Sequence, residues 1–173
     1  MRITKVLSGA ILALAFAVAA CGDSTGSGSV TLTAAQASSI WADAFAEYGQ
    51  AFATGLQNGS VTTSGNTDTF NATATCSGGS GTVKVTGSVS GSGSSETWNL
   101  TEAFTACKGT TYTFDGSLTW TGTSTSVHIT GTLTLSGAAS GSCAVDFSVT
   151  INSAGTGGTA SGTICGTTIN VTT

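Results

Sequence analysis

Charge is scarce in this sequence. Only 7% of its 173 residues are Asp, Glu, Lys or Arg, and proline is absent altogether. Once the N-terminal leader described below is set aside, two bases, Lys84 and Lys108, stand against all eight acidic residues, a formal difference of −6. Nucleic acids and anionic lipid headgroups are both bound through basic patches. The shortage of bases therefore argues against both as partners.

Groups that carry out chemistry are also few. There is no C-x-x-C pair and only one histidine, so we expect neither a metal site nor a cofactor. A Ser-His-Asp or Cys-His unit would have to use His128, oriented by Asp115 or Asp146, and no G-x-S-x-G elbow is present. Glu96 and Glu102 form a conceivable carboxylate pair for glycoside hydrolysis, but no motif supports it. We therefore expect no enzymatic activity and predict no catalytic residue.

The first 20 residues have the form of an export signal. Two bases precede an apolar run over residues 11–18, which is shorter than the about 20 residues that span a bilayer. The leader ends in Val18-Ala19-Ala20-Cys21, which resembles the lipobox of bacterial lipoproteins. The resemblance implies cleavage before Cys21 by signal peptidase II and attachment of lipid, such as palmitate, to that cysteine. An ordinary signal peptide with a chance cysteine is the alternative.

The residues after Cys21 predict where the domain is held. Among Gram-negative lipoproteins an Asp directly after the cysteine commonly retains the protein in the inner membrane, and here that position is Gly22. The resemblance therefore favours the outer membrane if the cell has two membranes. Residues 21–30 predict a lipidated cysteine and a flexible Gly/Ser tether of roughly 14 to 17 Å. The remaining chain, residues 31–173, has the length of one domain.

Four further cysteines predict two disulfides, because the number is even and the protein is expected to be exported. Four cysteines allow three connectivities. Cys143 and Cys165 are equally far from a turn centred near Ala154, so a hairpin there would place them opposite each other on adjacent strands. We therefore predict the pairs Cys143–Cys165 and Cys76–Cys107.

Residues 34–56 predict one amphipathic helix. Thr33-Ala-Ala-Gln36 has the form of a capping box, and Asn58-Gly59 is typical of a helix end. Interfacial helices usually carry Lys and Arg on the polar side, and this one carries none, so we expect it to pack on its own domain. The apolar face holds Ile40, Trp41, Ala44, Phe45, Tyr48, Phe52 and Leu56, and the polar face holds Gln36, Asp43, Glu47 and Gln50.

From about residue 67 the apolar period changes to two. Stretches such as 112–120 and 127–135 alternate apolar residues with Thr and Ser, which is typical of half-buried strands. Short Gly/Ser links leave no room for the crossovers that a parallel sheet requires. The pattern predicts about eight antiparallel strands, at residues 67–76, 81–90, 95–106, 110–121, 125–136, 142–152, 158–165 and 167–172.

The predicted fold class is therefore α+β and mainly β. One N-terminal helix packs on an antiparallel meander over residues 67–172, which forms a strongly curved sheet or an incomplete barrel. A parallel β-helix would need a fixed short period, but the seven-residue phrases that recur here start at 81, 116 and 131. An eight-stranded transmembrane barrel would turn its apolar face to lipid, and a long helix, two disulfides and a lipid anchor fit it poorly.

The recurring phrases have a glycine at each end. These glycines share the parity of the apolar residues, which places Gly87, Gly116 and Gly131 on the inner face. Glycine within a strand usually marks a bend or the close approach of another backbone. We hypothesise that the glycines crease the sheet and leave a trough that the aromatic residues of the helix fill. The alternative is that they only reflect the Gly-rich composition.

Two polar residues on the strands stand out. Glu102 shares the parity of the apolar side of its strand, where a carboxylate needs a partner, such as Lys84 or Lys108, or a raised pKa. We expect instead that a bulge or register shift returns Glu102 to water. His128 falls with threonines on the solvated face, where a surface histidine is more common than a catalytic base.

Together these features predict an exported bacterial lipoprotein, anchored to a membrane by its N-terminal lipid. We expect the domain to be a non-enzymatic structural or interaction module, whose Thr/Ser face meets proteins or glycans. The alternative is a protein that binds a hydrophobic ligand, such as a lipid, on the concave face of the sheet. An outer-membrane barrel and a hydrolase fit less well. The sequence does not name the protein, glycan or lipid partner.

Overall fold

The structure is a computed structural model that describes residues 32–92, 95–151 and 158–172. The predicted leader (1–20), Cys21 with the tether (21–30) and the turn centre at Ala154 lie outside the described residues.

The first described element is one long helix, α1 (Ala34–Gln57). The side-chain hydroxyl of Thr33 accepts a hydrogen bond from the Gln36 amide at 3.3 Å, and Gln36 Oε1 accepts one from the Thr33 amide at 2.9 Å. This reciprocal pair satisfies amides that the first turn of a helix leaves without partners. The helix ends at Asn58 and Gly59, where a φ of 68° suits glycine. Its bounds agree with the predicted 34–56 to within one residue.

Nine strands follow and form a single antiparallel sheet. In the described part of the chain the order across the sheet is the order along the sequence, and the sheet is not closed, with the first and last strands at its edges. The predicted meander on one helix is confirmed. The strands are β1 (Val61–Ser64), β2 (Thr67–Thr75), β3 (Thr82–Ser90), β4 (Thr97–Lys108), β5 (Tyr112–Thr123), β6 (Ser126–Gly137), β7 (Gly141–Ile151), β8 (Gly158–Ile164) and β9 (Thr167–Thr172).

The strand absent from the sequence prediction is β1. It has four residues, and Val61 is its only apolar side chain, so no alternation is visible. It pairs with β2 from Val61 opposite Phe70 to Ser64 opposite Thr67. The sheet therefore has one more strand than the about eight predicted, added at its first edge.

The sheet curls around the helix. α1 packs against β2, near one edge, and against β9 at the other edge. Phe52 stacks on Phe70 of β2 with 4.9 Å between ring centroids, and the Thr167 hydroxyl of β9 donates to the Leu32 carbonyl oxygen at 3.1 Å. In a flat sheet β2 and β9 would be about 34 Å apart, whereas a helix is about 10 Å wide. Both strands can contact one helix only because the sheet is strongly curved.

The space between the helix and the inner face of the sheet is the hydrophobic core. Ile40, Tyr48 and Phe52 are buried there, and Phe45 is half-buried. Trp41 contacts aromatic side chains of two strands, with ring centroids 5.8 Å from Trp120 of β5 and 5.1 Å from Phe147 of β7. Aromatic side chains from both layers therefore fill the concave side of the sheet.

The glycines of the repeated phrases have a backbone reason. Gly87, Gly116 and Gly131 have φ values of 122°, 119° and 156°, which side chains rarely adopt. A Cβ atom at Gly87 would lie 2.1 Å from the carbonyl oxygen of Asn99 on β4. These glycines therefore allow a neighbouring strand to approach closely. Close approach of another backbone is one of the two roles expected for glycine within a strand, the other being a bend. Gly116 is exposed, although the predicted trough requires it on the inner face of the sheet. The trough therefore stays a prediction.

Both disulfides have the predicted connectivity, Cys76–Cys107 and Cys143–Cys165. In the β7–β8 pair Val145 lies opposite Ile164. In this register Cys143 and Cys165 are offset by one residue and are not directly opposite each other. Cys165 lies just after β8, and its amide donates to the Ala144 carbonyl at 2.8 Å, which brings it beside Cys143. The two bonds are typical of an oxidising, exported environment.

Within the described residues, no helix combines the length and the hydropathy needed to cross a membrane.

Candidate functional site

The single histidine lies on the outer face of the sheet. His128 Nε2 is 2.8 Å from Asp146 Oδ1, and the two side chains are 49% and 74% exposed. The other proposed orienting residue, Asp115, accepts a hydrogen bond from the Ala106 amide at 2.7 Å instead. An imidazole this exposed is not held in a cleft, so the pair has the geometry of a surface ion pair.

Glu102 lies in the core, so the expectation that it returns to water is wrong. It is fully buried, between Leu100 and Phe104 on the inner face of β4. The β4–β5 register does shift, but between Phe104 and Cys107, after Glu102, and Ala106 takes a φ of 43° there. This bulge turns Cys107 inward, where it reaches Cys76, and leaves Glu102 facing the helix.

The two lysines proposed as partners of Glu102 are not in the core. Lys84 and Lys108 are both exposed. Trp120 of β5 is the partner instead, and its Nε1 donates to Glu102 Oε2 at 3.2 Å. The second carboxyl oxygen, Oε1, has no hydrogen-bond partner among the described residues.

The surroundings of Glu102 favour its protonated form. Burial raises the pKa of this carboxyl well above its usual range; the Trp120 hydrogen bond lowers it, and the charge of Glu47 raises it further. A buried carboxyl without a basic partner is more stable as the neutral acid. Glu102 therefore offers the core a carboxylic acid, which can both donate and accept a hydrogen bond.

Tyr48 of α1 faces the same region. Its ring stacks on Trp120 with 4.5 Å between centroids, and its hydroxyl has no partner among the described residues. Burial, followed by the charge of Glu102, raises the pKa of Tyr48 above its ordinary value. The phenol therefore keeps its proton and remains available as a donor and an acceptor.

A second carboxyl, Glu47, is also fully buried. Its predicted position on the polar face of the helix is wrong. The Ser77 amide donates to Glu47 Oε1 at 3.2 Å and to Oε2 at 3.0 Å, and the Ser77 hydroxyl also donates to Oε1. Ser77 belongs to the β2–β3 loop, so this loop folds over the helix and encloses the carboxyl.

Glu47 also lies beside the first disulfide. One of its carboxyl oxygens and the sulfur atoms of Cys76 and Cys107 are all within 4.8 Å of one another. Three such groups are a possible metal-ligand set only with both thiols free. Here the sulfur atoms are bonded to each other, so the arrangement is a disulfide that closes a carboxyl inside the fold.

The neighbouring acidic residue of the helix holds a second loop. Asp43 Oδ2 accepts hydrogen bonds from the amides of Thr111 at 2.7 Å and Tyr112 at 3.2 Å, at the start of β5. Asp43 and Glu47 are one helical turn apart and bind adjacent hairpin loops. Both serve to fix the helix across the loop end of the sheet.

Sequence reasoning missed Glu47 because its position was ambiguous. It follows the buried Ala44 by three residues and precedes the buried Ala51 by four, which is the spacing of the core face. That spacing was the available signal. The loop that supplies its donors is a tertiary feature that helical periodicity does not contain.

The outer face of the sheet carries rows of small polar side chains, as its alternation predicted. Strand pairing aligns one residue of every strand in a row that crosses all nine strands, with about 4.8 Å between neighbours. All members are exposed or half-buried. The row consists of Thr62, Thr69, Ser88, Asn99, Thr121, His128, Ser148, Ser161 and Asn170.

An adjacent row has the same character, and threonine dominates it. It consists of Asn71, Thr86, Thr101, Thr119, Thr130, Asp146, Thr163 and Thr168. The hydroxyl and amide groups of both rows can donate and accept hydrogen bonds, and charge is confined to the His128–Asp146 pair.

No family model, curated protein or solved structure matches the chain. Function has to be inferred from the side chains themselves.

Proposed function

We propose that this chain is an exported lipoprotein, lipidated at Cys21, whose domain is a non-enzymatic interaction module. The observation that carries the proposal is the contrast between the two faces of the sheet. Helix side chains occupy the concave face, while rows of hydroxyl and amide groups cross the outer face from edge to edge. Apart from the His128–Asp146 pair, the chemistry of these two rows is therefore neutral and hydrogen-bonding, which suits a protein or glycan partner.

The anchor is proposed from the lipobox, and the two disulfides support an exported location. With Cys21 lipidated, the tether would hold the domain close to its membrane, the outer one in a cell with two membranes. A short tether also restricts which partners the outer face can meet, because they must lie near the same membrane.

The anchor is tested by replacing Cys21 with Ser in cells fed an alkyne-tagged fatty acid. Wild-type protein should incorporate the tag and sediment with membranes, and Cys21→Ser should do neither. Gly22→Ala is the matched control and should behave as the wild type. Equal labelling of wild type and Cys21→Ser would contradict the proposed anchor.

The interaction face is tested by photo-crosslinking in living cells. A benzophenone amino acid at Thr121, in the centre of the outer row, should give a discrete crosslinked product. The same group at Ala138, in the exposed loop after β6, is the matched control and should give none. Products at Ala138 alone, or at neither position, would count against the outer face as the interaction surface.

The hydrophobic-ligand alternative has less support, because the aromatic residues of α1 occupy the concave face where the ligand would bind. Native mass spectrometry of protein purified with both disulfides distinguishes the two. A native mass equal to the denatured mass, and four hydrogens below that of the reduced protein, is expected for the interaction module. An added mass that disappears on denaturation would favour the carrier.

A further inference from the structure

Four buried side-chain polar atoms have no hydrogen-bond partner among the described residues, and two of them belong to neighbouring side chains. These two are the hydroxyl oxygen of Tyr48, on α1, and Oε1 of Glu102, on β4, while the other two are Ser38 Oγ and Trp98 Nε1. The Tyr48 and Glu102 side chains are almost completely buried. Native proteins rarely leave such atoms unpaired, and an ordered water is the usual partner where protein groups are lacking.

Trp120 contacts both of these side chains. The face of its indole stacks on the Tyr48 ring at 4.5 Å, and its Nε1 donates to Glu102 Oε2 at 3.2 Å. The charge that Glu102 would carry raises the pKa of Tyr48, as expected for two groups that face each other. They are therefore neighbours without a direct hydrogen bond.

The chemistry of the two groups defines what fits between them. A neutral carboxylic acid and a phenol each both donate and accept, so the occupant must also donate and accept. It must be uncharged, because the lysines of the domain, Lys84 and Lys108, are exposed at its surface. It must also be small, because Tyr48 and Trp120 are already stacked in contact.

We propose that one buried water bridges the Tyr48 hydroxyl and Glu102 Oε1, and that this bridge joins the helix to the sheet. The water completes the hydrogen bonding of both side chains. It also accounts for a carboxyl group at an inward position of a strand where neighbouring inward residues are apolar. The site does not depend on the proposed interaction function.

The test counts long-lived internal waters by magnetic relaxation dispersion, in the full chain purified from cells with its disulfides formed. Tyr48→Phe removes one partner of the water and should lower the count by one. Tyr112→Phe removes the only other tyrosine hydroxyl in the sequence and should leave the count unchanged. Glu102→Gln keeps a donor and an acceptor and should also leave it unchanged.

An unchanged count in Tyr48→Phe would overturn the proposal. Should that variant fail to fold, a high-resolution crystal structure of the wild type decides the matter. A water within hydrogen-bond distance of both atoms would support the bridge, and a direct bond between them would overturn it. An organic molecule at this position, seen as added mass in native mass spectrometry, would also overturn it and would support the carrier alternative.

Discussion

Glu47 and Glu102 are the two fully buried carboxyl groups among the described residues, and their surroundings differ. Glu47, under the β2–β3 loop, accepts three hydrogen bonds from Ser77. Glu102, in the middle of the sheet, accepts one from Trp120 and has one oxygen unpartnered. Burial alone therefore does not decide what a carboxyl group does in a core. The number of hydrogen-bond donors within reach decides how completely a buried carboxyl group is satisfied, and Glu102, with one donor, is held as a neutral acid.

The largest expected effect comes from removing the disulfide that lies beside Glu47. Replacing both Cys76 and Cys107 with Ala frees the loop that carries Ser77. For a separation of 31 residues we expect a loss of about 3 to 4 kcal/mol in the free energy of unfolding, measured by urea denaturation. Hydrogen exchange at the Ser77 amide should also become faster.

The matched control for that variant is removal of the Cys143–Cys165 disulfide, whose separation is 22 residues. It should cost a similar free energy without changing exchange at Ser77. If the Ser77 amide exchanges equally fast in both variants, the first disulfide does not hold the loop on Glu47.

A smaller effect is expected from Glu47→Gln. The substitution keeps the size of the side chain, removes its charge and offers an amide N–H to donors that need an acceptor. We expect a loss of about 2 kcal/mol, because hydrogen bonds to a charged group contribute about 1.5 to 3 kcal/mol. Asp43→Asn, in the half-buried neighbour on the same helix, should cost less. A Glu47→Gln protein as stable as the wild type would mean that the hydrogen bonds from Ser77 to the Glu47 carboxyl do not stabilise the fold.

Glu102→Gln sharpens the comparison through pH. Since the folded-state pKa of Glu102 is raised, its contribution to stability is complete below the ordinary carboxyl pKa of about 4.3 and is lost as the pH rises through the folded-state value. Above the ordinary carboxyl pKa the folded wild type keeps a proton that the unfolded chain releases. The wild type should therefore lose stability relative to Glu102→Gln as the pH rises from 5 to 6, by at most about 1.4 kcal/mol per pH unit.

Urea denaturation of both proteins at each pH gives that difference directly, and the titration of all the other groups cancels in it. A difference that stays constant between pH 5 and pH 6 would show that Glu102 is not held as a neutral acid.

The smallest effect is expected on the outer face, where the carboxyl group of Asp146 and the imidazole of His128 are exposed. His128→Ala and Asp146→Ala should each change the free energy of unfolding by about 0.5 kcal/mol or less, as is usual for exposed ion pairs. A double-mutant cycle in thermal unfolding measures their coupling. A coupling above about 1.5 kcal/mol would indicate a built site and reopen the hydrolase alternative.

The sequence predicts most of the fold, because periodicity and capping are local. The period of about 3.6 and the Thr33 cap define α1, and the period of two defines eight of the nine strands. The alternation also places Glu102 on the inward face. What it does not contain is where a bulge falls. The bulge lies at Ala106 because Asp115 binds the Ala106 amide and Cys107 must turn inward to meet Cys76.

The site is less predictable than the fold. Tyr48 is expected in the core, but the lack of a partner for its hydroxyl depends on how the helix is placed over β4 and β5. The burial of Glu47 depends on a loop 30 residues away in the chain, where the amide and the hydroxyl of Ser77 make three hydrogen bonds to its carboxyl group. Contacts between residues far apart in the chain are set by tertiary packing, which the local pattern of the sequence does not show.

The one-after-another order of the strands has a consequence for how the chain folds. Among the described strands, each one from β2 onward pairs with the strand made just before it, so each hairpin can form as soon as its second strand is available. An exported chain that emerges from its N-terminus would release α1 first, before any sheet exists to cover its aromatic face. The sheet can cover that face completely only when the last strand, β9, is available. The unpaired helix is therefore the part of the newly exported chain with the greatest need of protection from aggregation.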